Sequence, residues 1–295
     1  MDTSQLKHFI TLASTRHFGK AAEQCFISPS TLSRSIKQLE EELKVQLFER
    51  DNRTVELTAQ GKQFQQYAND AYQQLETIKE ALIAENGELQ GAISIYCSIT
   101  ASYSFLFNFL TEFRQRHPLI EIKLHTGDPA DAIQRVTGGQ EDLAIAAKPE
   151  RLPVELEFKR ITHSPLILII SKTANLPIPH TVQDVDTWQK LPVILSEKGI
   201  AREQLDAWFR SHKIQPNIYA QVSGNEAIVS MVSLGFGIGL VPEIVLNNSP
   251  LRDQVEHFPI QPQIKPYQVG VCCLKKRLKS PIVAALWEQI ANKAE

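Results

Sequence analysis

The chain has 295 residues, 43% apolar and 22% charged, the make-up of an ordinary globular protein with room for about two or three domains, not of a disordered or fibrous one. Lys and Arg number 31 against 33 Asp and Glu, a net charge of −2, so a nucleic-acid surface would have to be local. No apolar run approaches the roughly 18 residues of a membrane span, and no cationic, apolar leader opens the sequence; a cytoplasmic protein with no membrane partner is expected.

In chain order, Leu6, Phe9, Ile10 and Ala13 mark the core face of an opening helix. A second short helix is predicted from His17 to Cys25, with Ala21 and Ala22 small enough for another helix to cross closely. Phe26 and Ile27 are expected to bury the corner. Ser28 then offers an N-cap oxygen, and Pro29 takes the first helical position, where a missing N–H costs nothing. Leu32, Ile36, Leu39 and Leu43 recur as one apolar stripe of a third helix. Its other face carries Ser30, Thr31 and Ser33, then Arg34 and Lys37. Across residues 16–37, Arg16, Lys20, Arg34 and Lys37 face Glu23 alone, and the acids Glu40, Glu41 and Glu42 stand behind them. Hydroxyls on the first turns followed by cations suit a helix that enters the DNA major groove. The plainer alternative is a solvated helical hairpin with no partner. The candidate DNA-binding residues of this segment are Ser28, Pro29, Ser30, Thr31, Ser33, Arg34 and Lys37.

Val45–Thr58 reads as a two-stranded wing, with Leu47 and Phe48 inward, a turn at Asp51-Asn52, and Val55 and Leu57 alternating back. Arg50 and Arg53 flank that turn and are candidate phosphate contacts. Thr58 caps a long helix predicted from Ala59 to Ala84, about 39 Å at 1.5 Å per residue. Phe64, Ala68, Ala71, Leu75, Ile78 and Leu82 form a heptad seam along it. So narrow a stripe is buried by pairing with a second copy or by docking on its own chain. Asn86-Gly87 is the expected hinge.

Beyond Gly91 strands alternate with helices. Ile93–Tyr96, Ile120–His125, Asp142–Ala146, Leu166–Ser171, Val193–Leu195, Tyr219–Val222 and Val269–Leu274 are the predicted strands. The helices run to Arg116 and over Pro129–Gly138, Arg202–His212, Glu226–Leu234 and Pro281–Ala291. That alternation predicts an α/β sheet architecture with ligands at the carboxyl ends of strands. The glycines of residues 235–239 follow a helix and lead into a strand, the wrong order for a dinucleotide-binding loop. Four cysteines, Cys25, Cys97, Cys272 and Cys273, lack the spacing of a zinc site, and reduced, mostly buried thiols are expected. The eight histidines are scattered with no recognisable catalytic motif. Neither catalytic nor metal-binding residues are assigned, and no cofactor is expected.

The helix-turn-helix segment SPSTLSRSIKQLEEEL, the wing LFERDNRTVELTAQG, the segment GQEDLAI at 139–145 and GFGIGLVP at 235–242 together resemble LysR-type transcriptional regulators over essentially the whole chain. CSITASYS, EIKLHTGDPADAI, DLAIAAKPERLP and NEAIVSMVSLGFGIGLVPEIVLNNSP resemble those members that activate branched-chain amino-acid biosynthesis. The resemblance implies an all-α winged helix-turn-helix domain (1–58), a linker and dimerisation helix with its hinge (59–88), and an α/β two-lobed effector domain of periplasmic-binding-protein type (89–295). Lobe one would be 91–163 with 268–295, and lobe two 164–267. It also implies a homotetramer built as a dimer of dimers, an operator of double-stranded DNA, RNA polymerase as a partner, and a small-molecule coinducer between the lobes. For these members the coinducers are acetolactate and acetohydroxybutyrate.

A small hydroxy-keto acid needs anion donors and hydroxyls. Ser98 and Thr100 lie where the first strand gives way to a helix, a place that favours a carboxylate. Thr126, Asp128 and Lys148 end the next strands. Ser196, Lys198, Arg202, Gly224 and Asn225 are the candidates on lobe two. Each hydroxyl has an ordinary helix cap as its alternative role, and each lysine a solvated cation. Other readings are a LysR-type regulator of another pathway with a different anionic effector, an enzyme, and a solute-binding protein. The DNA-reading segment and the missing signal sequence count against the last.

Overall fold

The computed structural model describes residues 1–50, 54–84 and 88–291. The expected turn at Asp51-Asn52, Arg53 and the hinge at Asn86-Gly87 lie outside the described residues. Contacts divide the chain into two compact units, one built from the N-terminal helices and hairpin, the other from two sheets.

The first unit runs α1 (Thr3–Thr15), α2 (Phe18–Gln24), α3 (Pro29–Leu43), β1 (Phe48–Arg50), β2 (Val55–Leu57) and α4 (Ala59–Ala84). Each of the first three helix starts has a local cause. The Asp2 carboxylate accepts the Gln5 N–H at 2.8 Å while the Gln5 side chain accepts the Asp2 N–H at 2.9 Å, a reciprocal cap on α1. The His17 ring caps α2 through the Lys20 N–H, and Ser28 caps α3 through the Thr31 N–H. Such caps are each worth about 1 kcal/mol. Phe9, Leu12, Ala21, Leu32, Ile36, Leu39 and Leu47 are fully buried in one core that joins all three helices to the hairpin.

The corner between α2 and α3 departs from expectation. Phe26 is left-handed at φ 57° and 92% exposed, so it does not bury the corner. A residue in that conformation turns its side chain off the path between the helices, and Ile27 alone packs on the core.

The second unit continues β3 (Gly91–Cys97), α5 (Ile99–Ala101), a π-helical turn Ser102–Leu106, α6 (Phe107–Arg116), β4 (Ile120–Thr126), a 3₁₀ turn Pro129–Asp131, α7 (Ala132–Thr137), β5 (Leu143–Ala147) and β6 (Leu156–Ser164). It goes on through β7 (Leu166–Ser171), α8 (Val185–Lys190), β8 (Pro192–Ser196), α9 (Ile200–Ser211), β9 (Asn217–Val222), α10 (Asn225–Ser233), β10 (Ile238–Pro242) and α11 (Glu243–Asn247). It closes with β11 (Val255–His257), β12 (Tyr267–Leu274) and α12 (Pro281–Ala291). The first sheet has the order β4-β3-β5-β12-β6, the second β11-β7-β10-β8-β9. β3 is parallel to β4 and β5, and β12 is antiparallel to β5 and β6. In the second sheet β10 is parallel to β8 and antiparallel to β7. Each sheet is therefore mixed. The chain leaves the first sheet at Pro165 and returns to it at Tyr267, where β12 pairs Tyr267 with Ser164.

Both faces of each sheet are covered, as parallel strands require. In lobe one, Ile93, Ile95, Phe109, Phe113, Val271, Cys273 and Leu286 form one core, and Tyr96, Ala132, Val136, Ala144 and Cys272 form the core on the opposite face. Cys272 and Cys273 thus point apart, and burial pushes the thiols of Cys97, Cys272 and Cys273 up to about 12. These thiols stay protonated near neutrality, which makes them poor nucleophiles. The stretch Glu141-Asp142 anchors β5. Buried Glu141 accepts from Arg135 at 2.8 Å and lies 2.9 Å from the His125 ring, while Asp142 accepts the Ser94 N–H and pairs with buried Arg277 at 2.6 Å. Lobe two is centred on Trp188, which meets Trp208 edge-on at 5.2 Å and Phe258 at 5.5 Å. The glycines of 235–239 serve the other core of this lobe, where α10 packs on β10 through Ile228 and Val232. Gly235 holds φ +80°, and a Cβ on Gly239 would collide with Ile228 Cγ2.

Candidate functional site

On the first unit α3 presents its polar face to solvent. Ser28 Oγ lies 2.8 Å from both Ser30 Oγ and Thr31 Oγ1, a hydroxyl cluster at the exposed first turn. Pro29 and Arg34 are exposed, Ser33 is half-buried, and Lys37 forms a solvated pair with Glu41 at 3.6 Å. Arg50 is engaged differently from a free phosphate contact. Its guanidinium pairs with Glu40 at 2.6 Å and lies 5.3 Å from the Phe18 ring, which ties the wing to α2 and α3. Glu40 also accepts the N–H groups of Leu47 and Phe48. Arg53 falls outside the described residues.

The stripe on α4 is divided in use. Phe64 packs edge-on against Phe9 at 4.8 Å, Ala68 is fully buried, and Ala71 packs on the same core. Leu75 is half-buried, while Ile78 and Leu82 stand 59% and 61% exposed. The first half of the predicted seam is therefore used by the chain's own head, because α1 crosses it.

In the second unit a cavity of about 780 Å³ lies between the two sheets, a size that suits a small organic ligand. Of the candidates, Ser98, Thr100, Asp128, Ser196, Lys198, Gly224 and Asn225 line it. Thr126 is exposed at the end of β4, and Lys148 lies over the Phe158 ring at 5.8 Å; neither belongs to the lining. Arg202 is drawn away to Asp206, the Ser196 carbonyl and Gln221. Ser98 caps the next turn through the Ala101 N–H at 3.2 Å, and Asp128 caps Pro129–Asp131 through the Ala130 N–H at 2.9 Å.

Polar bridges cross from lobe to lobe. Ser223 donates to Asp128 at 2.9 Å, Lys198 pairs with Asp131, and the Glu226 carboxylate accepts from both the hydroxyl and the N–H of Thr100, at 2.6 and 2.9 Å. The Tyr103 hydroxyl reaches the Asn248 carbonyl at 3.5 Å, a long and weak contact. Glu226, Arg151, Glu203, Gln204 and Tyr267 are not among the sequence candidates, and the last four line the cavity. Glu226 is the second residue of α10, directly after Gly224-Asn225, so its place in the chain is a usable signal. Arg151 sits in an irregular segment with no periodicity to place it. Burial pushes the Tyr267 phenol well above its ordinary value. Walls of Ala101, Ile133, Ile145, Ala146 and Val245 make the chamber mostly apolar, with charge of both signs at Asp128, Glu150, Arg151, Lys198 and Glu203. Among the described residues no group of three or more His, Cys, Asp or Glu side chains is placed to hold a metal, and no helix is long and apolar enough to cross a membrane.

Two family models match the chain: "Bacterial regulatory helix-turn-helix protein, lysR family" over residues 3–62 and "LysR substrate binding domain" over residues 86–295. The chain belongs to the LysR family of transcriptional regulators. It is a DNA-binding regulator and not an enzyme. The "HTH-type transcriptional activator IlvY" of Salmonella typhimurium is 44% identical over 99% of this chain and 100% of its own. Among solved structures, a full-length OxyR variant from Pseudomonas aeruginosa matches at a TM-score of 0.68 and 23% identity, covering 100% of this chain and 94% of its own. Full-length CbnR complexed with its target DNA matches at 0.62 and 21% over both whole chains. These structural likenesses show the LysR fold, an N-terminal helix-turn-helix domain followed by a two-lobed α/β effector domain.

Proposed function

We propose that this LysR-family protein is a cytoplasmic transcriptional activator of branched-chain amino-acid biosynthesis, switched by a small hydroxy-keto acid, acetolactate or acetohydroxybutyrate, bound between the effector lobes. The observation that carries the reading is the 44% identity, over the full length, to a transcriptional activator named IlvY. α3 reads the operator's major groove through Ser30, Thr31, Ser33 and Arg34, while Lys37 neutralises phosphate. Two copies joined along α4 address two half-sites, and two such dimers form the tetramer that engages RNA polymerase. The cleft supports the effector reading by its volume, its apolar walls and the polar groups of Ser98, Thr100, Asp128 and Lys198.

Fluorescence anisotropy with a labelled promoter fragment tests the DNA half. Arg34→Ala is expected to cost about 1–3 kcal/mol at the specific site and much less on unrelated DNA, because a base-edge contact discriminates and a phosphate contact does not. Equal losses on both DNAs would make Arg34 a phosphate contact. An unchanged operator affinity in a folded variant would remove α3 as the reading helix.

A further inference from the structure

One lining residue of the cleft, Thr100, already has a carboxylate on its donors, and that carboxylate belongs to the protein. Thr100 is 2% exposed, yet its hydroxyl and its N–H both point at one oxygen, Oε1 of Glu226, at 2.6 and 2.9 Å. Thr100 sits on lobe one and Glu226 on α10 of lobe two. The bridges from Ser223 to Asp128 and from Lys198 to Asp131 join exposed or half-exposed groups with the acid on lobe one. Water competes for pairs of that kind, and their net worth is small. At Thr100 the acid comes from lobe two, and the two donors are shielded from solvent. Charge-assisted bonds are the strong class, and this pair ties lobe one to lobe two at a residue of the cavity wall.

We propose that Glu226 is a built-in competitor of the effector: its carboxylate holds the two Thr100 donors that a small carboxylate ligand must take, so the ligand binds by displacing it. The inference rests on the reading of the cleft as the effector site. One carboxylate replaces another, so the Thr100 donors stay satisfied throughout, and the half-buried Glu226 side chain can turn to water. The exchange also cuts one lobe-to-lobe tie and substitutes the ligand's own contacts, which gives the effector the differential contacts with two lobe arrangements that a switch needs. The resting protein loses affinity as a result: the apparent dissociation constant is the intrinsic one divided by the fraction of molecules with Thr100 uncovered.

The test uses the full chain and its Glu226→Ala and Glu226→Gln variants. Hydrogen exchange of the Thr100 amide is read without ligand, and calorimetry is then run with racemic 2-acetolactate. Exchange at Thr100 is expected to accelerate at least threefold in Glu226→Ala. Acetolactate is expected to bind Glu226→Ala about tenfold more tightly than the parent, with Glu226→Gln between them, since its amide oxygen still accepts but carries no charge. Unchanged exchange in the folded Ala variant overturns the latch whatever the ligand does. Unchanged or weaker acetolactate affinity in Glu226→Ala, with the parent binding, overturns the competition and makes Glu226 a bystander or a ligand contact. Faster exchange with no acetolactate binding to any of the three proteins overturns the effector reading instead, since the latch is then present without that ligand.

Discussion

At the scale of single residues, His8 shows how packing in the DNA-binding head makes a protonation state matter. Its ring is half-buried in α1 with Nδ1 2.8 Å from Ser35 Oγ on α3. Burial holds its pKa below 6.5, opposed by the nearby Asp2 and aided by the positive charge of Lys7. A depressed value means the folded head binds fewer protons than the unfolded chain. The stabilisation is therefore complete above pH 6.5 and is lost as the pH falls through the depressed value. The urea midpoint of the head is expected to drop between about pH 7 and pH 5.5, and to drop less in His8→Gln. Equal drops in both proteins would assign the acid sensitivity to other groups. Arg50, a candidate phosphate contact, also pairs with Glu40 at 2.6 Å and so helps to hold the wing in place.

Among the elements, α4 carries two functions along one stripe. Its first turns complete the head's core through Phe64, Ala68 and Ala71, and its last turns leave Ile78 and Leu82 uncovered. This separates what a substitution does to folding from what it does to assembly. Ile78→Glu is expected to leave the stability of the head within about 0.5 kcal/mol, since the position is 59% exposed in the single chain. In a dimer seam the same charge would be desolvated without a partner, at a cost of about 2 kcal/mol or more, roughly thirtyfold in association. Sedimentation equilibrium reads the difference, and an undisturbed oligomer would place the interface elsewhere. The π-helical turn Ser102–Leu106 is the other element with a double role. It follows the Thr100 bridge directly and places Phe105 in the cavity wall, in keeping with the tendency of π-turns to sit at functional sites.

For the whole molecule, the two units have separate cores: Phe9 and Leu39 in the head, Phe113 and Trp188 in the effector domain. A ligand of the cleft therefore acts by mass action on one unit. At a hundred times its dissociation constant, acetolactate is expected to stabilise the effector domain by about 2.7 kcal/mol and to leave the head's transition in place. Scanning calorimetry of the full chain checks this. A shift confined to the head, or no shift at a saturating concentration, would sink the assigned coinducer.

Much of this architecture is a local property of the chain. Ser28-Pro29 and the stripe Leu32, Ile36 and Leu39 specify α3 wherever it docks, because caps and helical periodicity act within a few turns. The apolar runs at 93–96, 166–171 and 193–195 specify buried strands in the same way. β6 is hidden from such a reading because Leu156–Ser164 shows no clean alternation of buried and exposed positions, and β11 because three residues carry too little pattern. Phe26 misleads because composition marks a large apolar residue for burial, while its left-handed backbone, set by the crossing of α2 and α3, turns it outward. The cleft is legible only as strand ends. Which side chains meet there is decided by two sheets brought face to face, and Glu226 reaches Thr100 across 126 positions of sequence. Sequence alone determined the longer helices, most of the strands and the family, while the short α8 and α11 carry too little pattern to be read. Tertiary structure decided which half of α4 stays free and which carboxylate occupies the Thr100 donors, because both depend on groups distant in sequence competing for the same surface.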